Sequence, residues 1–239
     1  MFGTEHLIWL AVCVVAIVAG SILAVKKQLS LKTALTILCA ICVVSEVVKI
    51  FCVLISEERV NEYGVFIKET DLPFHLCSMQ LFFAFIARFT KNKKIQDFLL
   101  MFMMPTCALG ATAALLLPTI THSFTNIRTY QYFLYHAGLI WFAATAIPRF
   151  KIKLDFKAYL KTIVALLVLV MLCFYINGFT QCTNFMYVSE PPLDGLPILN
   201  MDNGWFVYFI SYMALALVLI TLFFTPFWIY YAVKKKKQA

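Results

Sequence analysis

Long apolar runs alternate with short polar gaps along this chain, and its basic residues crowd into every second gap. Seven runs stand out, over roughly 6–25, 33–55, 71–89, 97–117, 129–148, 157–178 and 205–233. Each holds about 19–29 residues, enough for a helix rising about 1.5 Å per residue to cross a hydrocarbon core about 30 Å thick. Alternate gaps carry Lys26, Lys27 and Lys32; Arg88, Lys91, Lys93 and Lys94; Arg149, Lys151, Lys153, Lys157 and Lys161; and Lys234, Lys235, Lys236 and Lys237. These are 16 of the 20 basic residues; the opposite gaps hold only Arg59, Lys68 and Arg128, and Lys49 lies within the second run. Lysine and arginine are retained in cytoplasmic loops. The pattern therefore predicts a cytoplasmic C-terminus and, with seven crossings, an N-terminus outside. The expected fold is an all-α polytopic membrane protein, one seven-helix transmembrane domain over residues 1–239.

Composition points the same way, with 62% hydrophobic and 13% charged residues. That balance excludes an ordinary soluble domain. The net charge of +8 reads as loop lysine facing anionic lipid head groups rather than a nucleic-acid surface. Glu5, Glu57, Glu58, Glu62, Glu69, Asp71, Glu190, Asp194 and Asp202 all fall on the predicted outer side. The first run starts beside Glu5 and its lysines follow it, so it is expected to stay as a span, not to act as a cleaved signal. The longest irregular stretch, 179–204, has three prolines and no basic residue. Its Tyr, Phe and Met residues predict packing back onto the mouth of the bundle. A bacterial plasma membrane is the expected location.

Six of the eight cysteines (Cys13, Cys39, Cys42, Cys52, Cys107, Cys173) lie within apolar runs without metal-ligand spacing and read as small packing residues. No cofactor or metal is implied. Cys182 in the outer loop and Cys77 near the outer end of the third run form a conceivable disulfide pair.

Polar groups at membrane depth are functional candidates by default. On the drawn topology Glu46, Lys49, His75, Cys77, Gln80, His136 and Asn177 gather toward the outer half, beside the loop that carries Asn184 and Glu190. A third helix starting near Leu72, with Pro73 in its first turn, would set His75 and Cys77 about 200° apart and leave Cys77 and Gln80 on one face. Any base for the Cys77 thiol must then come from another helix, and His136 has the matching depth. Only a thiolate attacks well, so such a base is needed. Glu46 and Lys49, three apart, suit an intrahelical ion pair, either a neutralised packing patch or a contact to a head group. His75 reads equally as a structural hydrogen bond or a substrate contact, His6 as interfacial, and His122 as a solvated turn residue.

The segments DLPFHLCSMQLF (71–82), IRTYQYFLYHAGLI (127–140) and TNFMYVSEPP (183–192) resemble the signature regions of the bacterial YwaF-type integral membrane proteins. That family is related to eukaryotic transmembrane protein 164, an acyltransferase of ether phospholipids. The resemblance covers essentially the whole chain, with Phe185 standing where the family pattern has tyrosine. It implies a membrane-embedded thiol acyltransferase with Cys77 as nucleophile and His136 as base. In that reading the partners are membrane lipids, a phospholipid acyl donor and a lysolipid or other acceptor. Gln80, Asn177 or Asn184 would donate to the oxyanion, His75 and Lys49 would hold the phosphate, and Glu46 and Tyr187 would complete the substrate site. The alternative is a seven-helix receptor or small-molecule transporter with a polar pocket and no chemistry. An Asp-Arg-Tyr sequence is missing after the third run, and residues 205–233 contain no lysine that could carry retinal.

Overall fold

With no water in the bilayer core, a spanning backbone must satisfy its own hydrogen bonds, and this chain does so almost entirely as helix. The computed structural model describes residues 2–55, 60–61, 64–65, 69–120, 123–181, 183–193 and 195–236. The one exception to helix and loop among them is a two-residue antiparallel ladder, β1 (Val60–Asn61) with β2 (Gly64–Val65). The chain divides into two compact units, Met1–Ile152 and Lys153–Ala239.

The first unit contains α1 (Thr4–Lys26), α2 (Leu31–Leu54), α3 (Leu76–Phe89), α4 (Lys93–Pro105), α5 (Ala111–Leu116) and α6 (Ile127–Arg149). Polar side chains at the helix starts accept the N–H groups that have no intrahelical partner. Ser30 accepts from the Thr33 amide, Asn92 from Lys94 and Ile95, and Asn126 from Arg128. A π-helical turn, Thr106–Gly110, joins α4 to α5, so that Lys93–Leu116 runs as one rod long enough for a span.

Helix α6 is the hub, packing on α1, α2 and α5. Its Phe133 and Ala137 close a core with Trp9, Cys13 and Leu115. The Trp9 and Phe133 rings lie 5.1 Å apart and almost parallel. Lipid gives helices no hydrophobic reason to associate, so close backbone approach at small residues matters instead. Gly138 supplies it: a Cβ there would stand 3.0 Å from Ile41 Cγ2, so α2 and α6 meet where only glycine fits without adjustment. His6, expected at the interface, is instead 1% exposed. Its Nε2 bonds the Leu115 carbonyl at 2.8 Å, a tie between α1 and the end of α5 that draws the ring inward.

The second unit pairs α7 (Phe156–Thr180) with α8 (Trp205–Lys236). Asp155 caps α7 by accepting from the Ala158 amide at 2.8 Å. The helix ends at Gln181 in the left-handed conformation, φ 56°. The Tyr159 ring meets the edge of Trp228 at 5.1 Å.

Five helices are long and apolar enough to cross a membrane, Thr4–Lys26, Leu31–Leu54, Lys93–Leu116, Phe156–Thr180 and Trp205–Lys235. They correspond to five of the seven runs. The other two runs became α3, of 14 residues, and α6, which has the length but is interrupted by Arg128, Gln131 and His136. Those two helices carry Cys77 and His136. The start of α3 also corrects an expectation: the helix begins at Leu76, not Leu72. Pro73 disfavours the α region for the residue before it. The chain makes a 3₁₀ turn at Glu69–Asp71, closes Phe74 N–H onto Leu72 C=O at 2.9 Å, and reaches His75 in an extended N-cap conformation, ψ 146°.

Candidate active site

Because α3 starts late, Cys77 is its second residue and stands at the positive end of the helix dipole. Its thiol is free and half-buried; Cys182, the residue expected to compete for it, lies outside the described residues. The first amides of a helix have no carbonyl to bond. Met79 N–H reaches back to His75 C=O at 2.9 Å, while no partner engages the Cys77 or Ser78 amide among the described residues. The sulfur faces the π-helical turn, where a Cβ on Gly110 would lie 3.5 Å from Cys77 Sγ. Such turns, which insert a residue into a helix, are frequent at functional sites.

Helix α6 grips the same turn of α3. Tyr135 donates its hydroxyl hydrogen to the Cys77 carbonyl. Gln80, expected to donate to an oxyanion, has a different task. It is fully buried, its amide nitrogen donates to Thr106 Oγ1 at 3.0 Å and to Leu76 C=O at 3.3 Å, and its oxygen accepts from the Cys107 thiol at 3.3 Å. Both amide hydrogens are engaged, so Gln80 ties α3 to the π-helical turn after α4 and has none left for a substrate.

His136 lies one residue beyond Tyr135, 7% exposed. Its Nδ1 is 2.7 Å from the Tyr132 carbonyl. A carbonyl only accepts, so Nδ1 carries the hydrogen and Nε2 the lone pair. No hydrogen bond engages Nε2 among the described residues. The ring is held between Tyr132 and Tyr135, at centroid distances of 4.4 and 5.2 Å.

Glu46 and Lys49 form the ion pair their spacing predicts, and both side chains are nearly buried. Lys49 lies within electrostatic range of His75, and Glu46 within that of Arg128. Arg128, Gln131, Tyr132, Tyr135 and His136 recur at helical spacing, so they share one face of α6.

Asn177, Asn184 and Tyr187 belong to the second unit, where they shape the connecting loop. Asn177 is 5% exposed; its oxygen accepts from Thr183 Oγ1 and the Phe185 amide, both at 2.9 Å, and its nitrogen donates to Phe185 C=O at 3.1 Å. Asn184 accepts from the Ser189 amide at 3.1 Å and donates to Glu190 C=O at 2.9 Å. Met186 and Tyr187 both adopt positive φ, at 55°. Their turn is held from α8, where Tyr208 donates to Tyr187 C=O, Tyr212 to Met186 C=O, and Trp205 Nε1 to Val188 C=O. The loop thus packs onto helices, as its aromatic content predicted.

Residues 1–224, nearly the whole chain, match the TMEM164 family. The chain belongs to the TMEM164 family. No curated protein and no solved structure matches it. This TMEM164-family chain is a multi-pass membrane protein. Two of its three signature segments meet in the first unit, through Tyr135 and Cys77; the third makes the Asn177-centred loop of the second unit. Sequence reasoning passed over Tyr135, Gln131 and Cys107. The first two were legible as members of the polar face of α6, whereas nothing local distinguishes Cys107 from a packing residue.

Proposed function

We propose that this protein is a membrane-embedded thiol acyltransferase acting on phospholipid or lysophospholipid acyl chains. The observation that carries the reading is a free thiol in the first turn of α3, beside helix-start amides that no described residue engages. His136 complements it, locked in the tautomer that leaves Nε2 as acceptor. Cys77 Sγ attacks the ester carbonyl carbon and its proton passes to His136 Nε2. The Cys77 and Ser78 amides receive the oxyanion, the role that Gln80 cannot fill. The ester C–O bond breaks, and His136 returns the proton to the departing lysolipid oxygen. In the second half, an acceptor hydroxyl attacks the thioester, its proton goes to His136, the C–S bond breaks, and the thiolate regains the proton. Water as acceptor makes the outcome hydrolysis. Lys49 and His75, with Arg128 at the start of α6, would supply the charge that holds the phosphate.

The topology proposed with this function is a single membrane domain of seven crossings, N-terminus outside and lysine-rich C-terminus cytoplasmic, in a bacterial plasma membrane. The five long apolar helices support it, as do α3 and α6 at the positions of the other two runs.

The test is intact-protein and peptide mass spectrometry after incubation with a phospholipid panel. An acyl adduct that is released by hydroxylamine, maps to Cys77 and is missing from Cys77→Ala supports the reading. An unmodified Cys77 with no transfer or hydrolysis across the panel sinks it and favours a receptor or transporter.

A further inference from the structure

One turn apart on α6, two buried polar atoms have no hydrogen-bond partner among the described residues: Arg128 Nη1 and Gln131 Oε1. Leaving such atoms unpaired costs about 1–3 kcal/mol each, more when charged, so both invite a ligand. One is a cationic donor and the other a neutral acceptor, separated along the axis by about 4.5 Å of rise. Gln131 Nε2 donates to Ser45 Oγ at 2.6 Å, which holds the side chain against α2 and leaves Oε1 as the atom facing away from that bond. Arg128 has carboxylates within electrostatic range, Glu46 and Asp71, but makes no ion pair among the described residues, and Glu46 is paired to Lys49. Arg128 is also the second residue of α6, so the positive helix end adds to the attraction for an anion.

We propose that Arg128 and Gln131 form the waiting subsite for a lysophospholipid acceptor, the guanidinium taking the phosphodiester oxygen and Gln131 Oε1 accepting the hydrogen of the free glycerol hydroxyl until the thioester forms and the hydroxyl moves along α6 to give that hydrogen to His136 Nε2. The two ligand groups are neighbours on one glycerol and match the order of donor and acceptor along the helix. The Tyr135 and His136 positions follow within two turns on the same face, so a lipid anchored there lies along α6 toward Cys77. This inference deepens the acyltransferase reading and rests on it for the fate of the hydroxyl, but binding can be measured without chemistry.

The experiment uses the full-length protein in detergent with Cys77→Ala as background, and measures equilibrium binding of a radiolabelled lysophospholipid. Its comparison ligands are the matching monoacylglycerol, which lacks the phosphate, and a deoxy-lysophospholipid, which lacks the hydroxyl. The Cys77→Ala protein should prefer the lysophospholipid to both. Arg128→Gln should reduce the preference over monoacylglycerol about 10- to 100-fold, the scale of a charge-assisted contact, with Arg128→Lys intermediate because it keeps charge but not the fork. Gln131→Leu should erase the preference over the deoxy ligand. Glycerophosphodiester should compete better than inorganic phosphate. The proposal is overturned if folded variants keep both preferences, or if inorganic phosphate competes as well as the diester, which would make this a free-phosphate site. Should Arg128→Gln fail to fold, Arg128→Lys and Gln131→Leu decide. Absence of any Cys77 adduct, transfer or hydrolysis in the unmodified protein, with both preferences intact in Cys77→Ala, would refute the catalytic reading and leave this site standing.

Discussion

Replacing Gly138 by alanine tests whether the α2–α6 contact is as tight as it looks. The added Cβ would sit 3.0 Å from Ile41 Cγ2 and 3.1 Å from Cδ1, against an ordinary carbon contact of about 3.5–4.0 Å. Overpacking of this kind costs about 1–3 kcal/mol. Alanine recovers about 0.5–1 kcal/mol of helix preference over glycine, so a net loss of up to about 2.5 kcal/mol, near 1 at mid-range, is expected. The consequence reaches the site, because the same interface carries the Gln131–Ser45 bond two turns away. A misplacement near 1 Å can cost about 100-fold in rate. Thermal unfolding in detergent provides the assay, with Gly178→Ala as control, since nothing lies within 4 Å of a Cβ there. Gly138→Ala should melt below wild type and Gly178→Ala at or above it. Ile41→Ala removes the clashing atoms, so the double variant should be less destabilised than the two single changes added together. A Gly138→Ala protein as stable as Gly178→Ala, or strict additivity with Ile41→Ala, would refute the close-approach argument.

His136→Ala should lower acyl transfer about 10²–10⁴-fold, the usual contribution of a general base, while the Cys77 adduct forms slowly; transfer at the wild-type rate would remove His136 from the chemistry. Asn177→Ala removes the hydrogen bonds to the Phe185 amide and carbonyl, about 0.5–1.5 kcal/mol each, so limited proteolysis should cut the 183–193 loop faster than in wild type without altering the peptides released from the first unit. Burial opposes ionisation of Asp155, but the Ala158 amide and Lys153 outweigh it and hold the carboxyl below its ordinary value. A lowered folded-state value means its stabilising charge is present above the unfolded pKa and is lost as pH falls through the folded one. The melting difference between wild type and Asp155→Ala should therefore be full at pH 7 and narrow below about pH 4; a constant difference down to pH 2 would contradict it.

Much of this molecule can be read from its residues because a bilayer imposes one requirement over the full length of every span. Apolar runs became helices, the three-residue spacing of Glu46 and Lys49 became an ion pair, and asparagine, serine and aspartate at run edges became caps. The pairing of Cys77 with another helix could be anticipated in depth, but not in identity. Tyr135 meets the Cys77 backbone from 58 residues away, and no periodicity within either segment encodes which faces of two helices will meet. The same holds for Gln80. Its amide looked available while α3 was considered alone, and was engaged once Thr106 and Cys107 arrived on the neighbouring helix. Residue spacing fixed the polar face of α6 in advance. Only tertiary packing decided that His136 would hold Nδ1–H against Tyr132, that Gly138 would bring α2 close, and that Arg128 and Gln131 would bury atoms that no described residue pairs, because hydrogen bonds and steric contacts between distant segments exist only once the helices are packed.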